Sequence, residues 1–229
     1  MQIRNLNSQE ELQQTLNTVL SELNETITNH LNFKQAQLLT YWLNDWNNRF
    51  LKNEQSFNPK ELIKYKRGNV VNVHLGYNVG SEEGGLHYGL VLDVSNDKIS
   101  SILTIVPLRS LKPNEKVENL NSKFEVYLGE SLLKDKIKYY ENKLKKTKKD
   151  LATAKESEEI AKLQKTIDRC NKELENLNKG TIAIVSQIRT ISKLRIYEPT
   201  KTFHSLSKFV LDSDNMKKID DALKNLYFK

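Results

Sequence analysis

The chain has 229 residues, of which 38% are hydrophobic and 28% are charged, and its formal net charge is +7. This length accommodates one large domain or two modest ones, and the apolar content is sufficient for a packed core. No apolar run approaches the ~20 residues that cross a bilayer, and the polar N-terminus lacks a signal-peptide core. A single cysteine, Cys170, excludes an internal disulfide, so we expect a cytoplasmic protein that does not enter the membrane.

The N-terminal region is predicted to be helical over residues 1–58. Ser8 and Glu11 form an S-x-x-E capping box, which predicts that a helix begins there. Apolar residues then recur at helical spacing over 12–31 and again over 39–50. The sequence therefore predicts two helices that pack on each other or on the remainder of the protein.

Positive charge is concentrated after this region. Residues 1–58 contain four basic and six acidic side chains, so residues 59–229 contain 32 basic and 23 acidic ones. A polyanion such as RNA or DNA is a partner that suits this asymmetry, but a lysine-rich solvated surface gives the same composition. Charge alone leaves both interpretations open.

The middle of the chain carries a glycine-rich loop between apolar segments 70–75 and 89–94, which we predict to be strands. Glycines allow a phosphate or a base to approach the main chain closely, although a flexible hairpin connection has the same composition. His87 follows this loop, and Arg109 ends the next apolar segment. Both are basic groups that the sheet could place beside the loop.

A long helical insertion is predicted over residues 130–179. No glycine or proline lies between Gly129 and Gly180, and apolar residues follow heptad-like spacing over 133–151 and 160–177. The phase slips between these two series, which predicts an antiparallel helical hairpin with arms of about 35 Å. Such an arm either stiffens the connection or docks RNA, the ribosome or a protein.

Three short motifs occur in a fixed order: R-G-N-V at 67–70, G-S-E-E-G-G at 80–85 and S-Q-I-R-T-I at 186–191. Together they resemble the PemK/MazF family, the endoribonuclease toxins of type II toxin–antitoxin systems. The resemblance covers residues 65–128 and 180–229. It implies an α+β protein with a small, twisted, antiparallel β-barrel, to which N-terminal helices, the inserted coiled-coil hairpin and a C-terminal helix are added.

The resemblance implies cleavage of single-stranded RNA to a 2′,3′-cyclic phosphate without a metal or other cofactor. It also implies a homodimer and an acidic antitoxin peptide or protein as partner. The family's usual catalytic arginine after the loop is His87 here, expected to act as acid or base. The family's threonine or serine falls on Arg109, with Ser110 after it. Because both catalytic positions differ, a non-catalytic binding module for protein or nucleic acid is the alternative.

The remaining expected contacts to RNA are implied by the same resemblance. Strand alternation would put Gln187 and Arg189 on one face, opposite Ile188, as a base-edge and a phosphate contact. Tyr88 could stack on a base, although an aromatic beside a strand also suits the core. The expected RNA-binding residues are Arg67, Glu82, Gly84, Gly85, Tyr88, Gln187 and Arg189. No zinc site is expected, since His30, His74 and His204 lack ligand spacing.

Overall fold

The structure, a computed structural model, describes residues 6–228. Within that range the chain forms five α-helices and seven strands, and every strand pairing is antiparallel. It divides into two compact units, Met1–Gln55 and Ser56–Lys229, a boundary three residues before the end of the predicted helical region. The mixed architecture of helices and antiparallel sheet is the expected one.

The first unit consists of helix α1 (Gln9–Glu25) and helix α2 (Phe33–Asp45), each extended by a π-helical turn. The Ser8 side chain accepts a hydrogen bond from the Glu11 amide at 3.1 Å, as a helix N-cap does. The Glu11 carboxylate accepts from the Asn7 amide at 2.8 Å. In a full capping box the Glu11 carboxylate would accept a hydrogen bond from the Ser8 amide. Here it accepts from the amide of the preceding residue, Asn7.

Neither α1 nor α2 buries any of its residues. Among residues 6–55, Phe50 alone is buried. The apolar residues do recur at helical spacing on α1 and α2. Much of the surface of these apolar side chains is nevertheless accessible to solvent.

The second unit is built on one sheet of seven strands. These are β1 (Val70–His74), β2 (Leu86–Val91), β3 (Ile102–Ser110), β4 (Glu125–Glu130), β5 (Gly180–Ile184), β6 (Arg189–Ser192) and β7 (Ile196–Glu198). Their order is β4-β5-β3-β2-β1-β7, and β6 pairs with β3 beside β5. Strand β3 thus changes partner along one edge, from β6 at its N-terminal half to β5 at its C-terminal end.

A closed barrel is not confirmed, because the end strands β4 and β7 do not pair in the part of the chain that the structure describes. The two outer strands of the β1-β2-β3 meander are nevertheless connected by one short segment of chain. Strand β6 pairs with β3, β7 pairs with β1, and only the 3-10 turn Lys193–Arg195 separates β6 from β7. The chain therefore passes from one edge of the β1-β2-β3 meander to the other without hydrogen bonds between β6 and β7.

Strand alternation divides the buried side chains into two clusters on opposite faces of the sheet. One cluster lies beneath the C-terminal helix α5 (Ser213–Tyr227) and the base of the helical arm and includes Val70, Leu90 and Val106. The other lies under β6 and β7 and includes Val71, Val91 and Ile105. Both faces of β1, β2 and β3 are therefore covered, which fixes the register of these strands.

The inserted arm is an antiparallel pair of helices, α3 (Lys134–Thr153) and α4 (Ser157–Asn178), which pack along each other. The break between them falls at residues 154–156, where the heptad phase slips. At 1.5 Å per residue the helices are about 30 to 33 Å long. Thr147, Ile167 and Cys170 are buried in their interface.

The base of the arm contains a buried cation that the heptad pattern does not indicate. The side chain of Lys136 is 4% exposed and forms an ion pair with Glu198 of β7. Its ammonium also lies 5.2 Å from the ring centroid of Tyr139 and 5.1 Å from that of Tyr140. A charge removed from water needs such partners, so this cluster anchors α3 to the sheet.

The C-terminal helix implied by the resemblance is α5 (Ser213–Tyr227). The Asp212 carboxylate accepts a hydrogen bond from the Asn215 amide at 2.9 Å, and Ile219 packs into the first cluster. Within residues 6–228, none of the helices combines the length and the apolar character that a bilayer crossing requires.

Candidate functional site

The glycine-rich loop at residues 75–85 folds back on itself between β1 and β2. The Gly85 amide donates to the Gly76 carbonyl at 2.6 Å, and the Leu75 amide donates to the Gly85 carbonyl at 2.7 Å. A side chain at Gly84 would place its Cβ 2.9 Å from the Gly76 oxygen, and Gly85 has φ of +79°. These glycines are therefore required by close approach and by backbone conformation, and the loop is a closed, ordered turn.

The loop is held against the third motif by hydrogen bonds that span more than a hundred residues of chain. The Glu83 amide donates to Gln187 Oε1 at 2.7 Å, and Gln187 Nε2 donates to the Ser81 carbonyl at 3.0 Å. Arg189 Nη1 donates to the Glu83 carbonyl at 3.1 Å, and its Nη2 donates to Gln187 Oε1 at 3.2 Å. The structure thus brings Gln187 and Arg189 together with the loop.

The route by which Gln187 meets Arg189 differs from the predicted one. Gln187 ends the 3-10 turn Val185–Gln187, and Arg189 begins β6, so the two do not alternate along a single strand. The turn lies at the point where β3 changes its partner from β5 to β6. Their proximity therefore comes from a break in the sheet edge and not from the period of two of a β-strand.

His87 lies on β2 and reaches the same loop. Its Nε2 is 3.5 Å from the Glu83 carboxylate, and its Nδ1 is 3.3 Å from the carbonyl oxygen of Leu108. A carbonyl only accepts, so the contact to Leu108 assigns the proton to Nδ1 and leaves Nε2 as the nitrogen that can exchange one. The side chain is 26% exposed, which gives this nitrogen access to solvent.

An open groove with a volume of about 560 Å³ lies along the contact between the loop and the third motif. The lining residues are Ser81, Glu82, Ser186, Gln187, Ile188 and Arg189. One arginine and one glutamate face it, so the groove itself is of mixed charge and not uniformly basic.

Arg195 adds a second cation near Arg189. Burial lowers the pKa of Arg195, and the positive charge of Arg189 lowers that pKa further.

Arg109 occupies a different environment, since its charge is neutralised within the protein. Its guanidinium donates to Glu115 at 2.7 and 2.8 Å and to Glu125 at 2.6 and 3.0 Å, and the side chain is 12% exposed. These bonds raise the pKa of Arg109, with the contact to Glu115 as the largest cause. The same contact lowers the pKa of Glu115 to about 2.

Ser110, Tyr88 and Arg67 also lie away from the groove lining, and His87 contacts the loop without lining the groove. The Ser110 hydroxyl donates to the Asn176 carbonyl of α4 at 3.1 Å, which ties the sheet to the arm. Tyr88 packs against the first cluster, and burial raises the pKa of its hydroxyl. Arg67 pairs with Asp220 of α5 and donates to the Leu92 carbonyl.

The position of Arg67 follows from the hairpin geometry. It precedes β1, whereas the glycine loop follows β1, so the two lie at opposite ends of a five-residue strand. A strand of that length spans about 17 Å. The structure therefore joins Arg67 to the C-terminal helix and not to the groove.

Two residues of the site were not among those expected from the sequence. Glu83, and not its neighbour Glu82, makes the contacts to His87, Gln187 and Arg189. Arg195 is separated from Arg189 by six positions, and no motif includes it. The only local signal for the contact between Glu83 and His87 is their separation by four residues in the sequence.

Within residues 6–228, no group of three or more His, Cys, Asp or Glu side chains is arranged to hold a metal ion. Comparison of the sequence with models of known protein families finds no match, and comparison with curated proteins finds no relative.

Proposed function

We propose that this protein is a PemK/MazF-like endoribonuclease that cuts single-stranded RNA without a metal ion and leaves a 2′,3′-cyclic phosphate. One observation carries the proposal. The glycine loop and the Gln187–Arg189 segment, which are distant in sequence, are hydrogen-bonded to each other through Glu83, and His87 contacts the same residue. We interpret the incompletely closed sheet as an opened form of the small barrel of this family.

His87 has the role of the proton acceptor in this proposal. Its Nε2 takes the proton of the ribose 2′-hydroxyl, whose oxygen then attacks the adjacent phosphorus as the bond to the 5′-oxygen breaks. The departing 5′-oxygen receives a proton from solvent, to which the groove is open. The Glu83 carboxylate, 3.5 Å from Nε2, stabilises the imidazolium that forms.

Arg189 supplies the positive charge that the crowded phosphorane requires. Its guanidinium is oriented by hydrogen bonds to a carbonyl and to an amide, both of which are neutral acceptors. Its charge is therefore available to a phosphate. Gln187 is held in place by the loop and Arg189, and Glu82 faces the same groove, so both are suited to contact a base edge.

The expected partners belong to the same proposal. An acidic antitoxin peptide would occupy the groove next to Arg189 and Arg195, and a second copy of the chain would form a homodimer. Arg109 was expected to take part in catalysis. Because it is paired with two carboxylates, we propose instead that it stabilises β3 and β4.

A non-catalytic binding module is the second candidate, and a specific observation favours it. Two of the three residues expected to be catalytic, Arg109 and Ser110, already have partners within the protein. A groove that retains Arg189 and Gln187 but lacks a second proton donor would bind RNA without cutting it.

Incubation of the purified protein with mixed single-stranded RNA in EDTA separates the two candidates. The endoribonuclease proposal predicts cleavage by the wild type and a loss of about 10²- to 10⁴-fold in rate for His87→Ala. His30→Ala, which removes an exposed histidine of the first unit, is the matched control and should cleave normally. Intact but bound RNA with all three proteins would support the binding module instead.

A further inference from the structure

The two helices of the arm differ sharply in charge. Helix α3 contains eight lysines and three acidic residues, whereas α4 contains four basic and five acidic residues. The excess of positive charge in residues 59–229 is therefore concentrated on one helix.

Four of the eight lysines of α3 form a stripe on the side that faces away from α4. The buried side of the helix is marked by Thr147. Four exposed lysines are separated by four, seven and four residues, a spacing that places them on one face over about 22 Å. These residues, called the lysine stripe below, are Lys134, Lys138, Lys145 and Lys149.

The charge of the lysine stripe is not neutralised inside the protein. On α4, Lys162 lies 2.7 Å from Glu158, and Lys179 after its end lies 2.8 Å from Glu175. In the described part of the chain, no carboxylate lies within 4 Å of a lysine of the stripe. Like charges at this spacing repel each other, so the stripe is more stable with an anionic partner than without one.

The composition of this face favours a nucleic-acid backbone over an acidic protein. The exposed residues between the lysines of the stripe on this face are Glu141 and Asn142, and neither offers an apolar anchor. Protein–protein interfaces are depleted in lysine and depend on buried aromatic or aliphatic anchors, whereas phosphates are bound by rows of Lys and Arg.

We propose that the lysine stripe binds the phosphate backbone of single-stranded RNA. The inference rests on the proposed function for its choice of RNA. In this proposal the arm provides most of the electrostatic attraction to RNA. The groove contains both an arginine and a glutamate, so its own charge is mixed. The groove then provides the chemistry, and the arm provides sequence-independent attraction.

Fluorescence anisotropy with a short 2′-O-methyl RNA tests this proposal on the full-length chain. This probe keeps the phosphates but has no free 2′-hydroxyl, so it cannot be cut by the proposed reaction. The triple variant Lys138→Gln, Lys145→Gln, Lys149→Gln is compared with the wild type over a range of salt concentrations. The matched control, Lys217→Gln, Lys218→Gln, Lys224→Gln, removes three exposed lysines from α5.

The expected result is weaker binding by the arm variant and a salt dependence of log K that is shallower by about 2, since each phosphate contact on single strands contributes about 0.7. The α5 variant should keep the wild-type slope. Circular dichroism verifies that α3 remains helical.

Two results would overturn the proposal. One is an arm variant whose salt slope equals that of the α5 variant. The other is wild-type binding to poly-glutamate that is as tight as binding to the RNA probe, which would identify an acidic protein as the partner. A protein that fails to cleave RNA in EDTA but shows the predicted slope change would contradict the enzymatic proposal alone.

Discussion

Arg109 and Arg189 lie on neighbouring strands of one sheet, yet their environments are opposite. Arg109 donates four hydrogen bonds to two carboxylates and is largely buried. Arg189 donates to the carbonyl of Glu83 and to the amide oxygen of Gln187, which are neutral. An arginine with two anionic partners stabilises the fold, whereas an arginine with only neutral acceptors keeps its charge available to a ligand.

The contacts around the two arginines show the same division. At the C-terminal end of β3, Arg109 and Ser110 connect this strand to Glu125 of β4 and to α4. At the start of β6, Gln187 and Arg189 border an open groove. We therefore expect substitutions in the first region to change stability and substitutions in the second to change activity.

The largest effect is expected for Arg189→Gln. Loss of its charge removes stabilisation of the phosphorane, and cleavage of RNA should fall by about 10²- to 10³-fold with little change in thermal unfolding. Arg189→Lys, which keeps the charge but loses the planar guanidinium, should recover part of the rate. A fully active Arg189→Gln enzyme would remove this residue from the mechanism.

Arg109→Gln should act mainly on stability. The substitution leaves Glu115 and Glu125 without their cation, and the free energy of unfolding should fall by about 2 to 3 kcal/mol in urea denaturation. Activity per folded molecule should stay within about twofold of the wild type. The double variant with Glu115→Gln, which removes one orphaned charge, should be more stable than the single one. Lost activity with normal stability would instead place Arg109 in the reaction.

A smaller effect is expected in the pH dependence of stability. The pKa of Glu115 is lowered from its ordinary value of 4.5 to about 2, chiefly by Arg109. Its ionisation therefore stabilises the fold above about pH 4.5, and this contribution is lost as the pH falls towards about 2.

Glu115→Gln should consequently flatten the decline in unfolding free energy between about pH 5 and about pH 3, by about 1 kcal/mol once solvent screening is considered. Urea denaturation at both pH values measures this. Glu118→Gln, an exposed neighbour, is the control. Equal slopes for the two variants would show that the contact between Arg109 and Glu115 does not contribute to acid stability.

The smallest effect is expected for Gly85→Ala. No atom lies within 4 Å of the added Cβ, so the cost is only that of a φ of +79°, about 1 kcal/mol. Gly80→Ala, with φ of +62° but no part in the bonds that close the loop, tests whether strain alone lowers activity. Lower RNA affinity for Gly85→Ala than for Gly80→Ala would show that the closed loop is needed for binding.

Local features of the sequence predicted much of the fold. The Ser8 cap marks the start of α1, and the heptad slip marks the break in the arm. These signals act over a few residues, within the reach of one turn of helix. Closure of the sheet depends on pairing between strands distant in the chain, which no local pattern records.

The candidate site was less accessible to sequence reasoning for the same reason. Arg109 was expected to share in catalysis because the family resemblance puts a catalytic position there, but Glu125, sixteen residues later, neutralises it. Gln187 and Arg189 were placed together correctly, although a 3-10 turn and not strand alternation does so. Charge pairing across strands decides which cations remain available, and the sequence does not show it.

The most direct test of the account is the chemical identity of the ends that the wild-type protein leaves on RNA in EDTA, determined by mass spectrometry. Attack by the 2′-hydroxyl predicts fragments with a 2′,3′-cyclic phosphate on one side and a 5′-hydroxyl on the other. RNA that stays intact, or fragments with 3′-hydroxyl and 5′-phosphate ends, would contradict it.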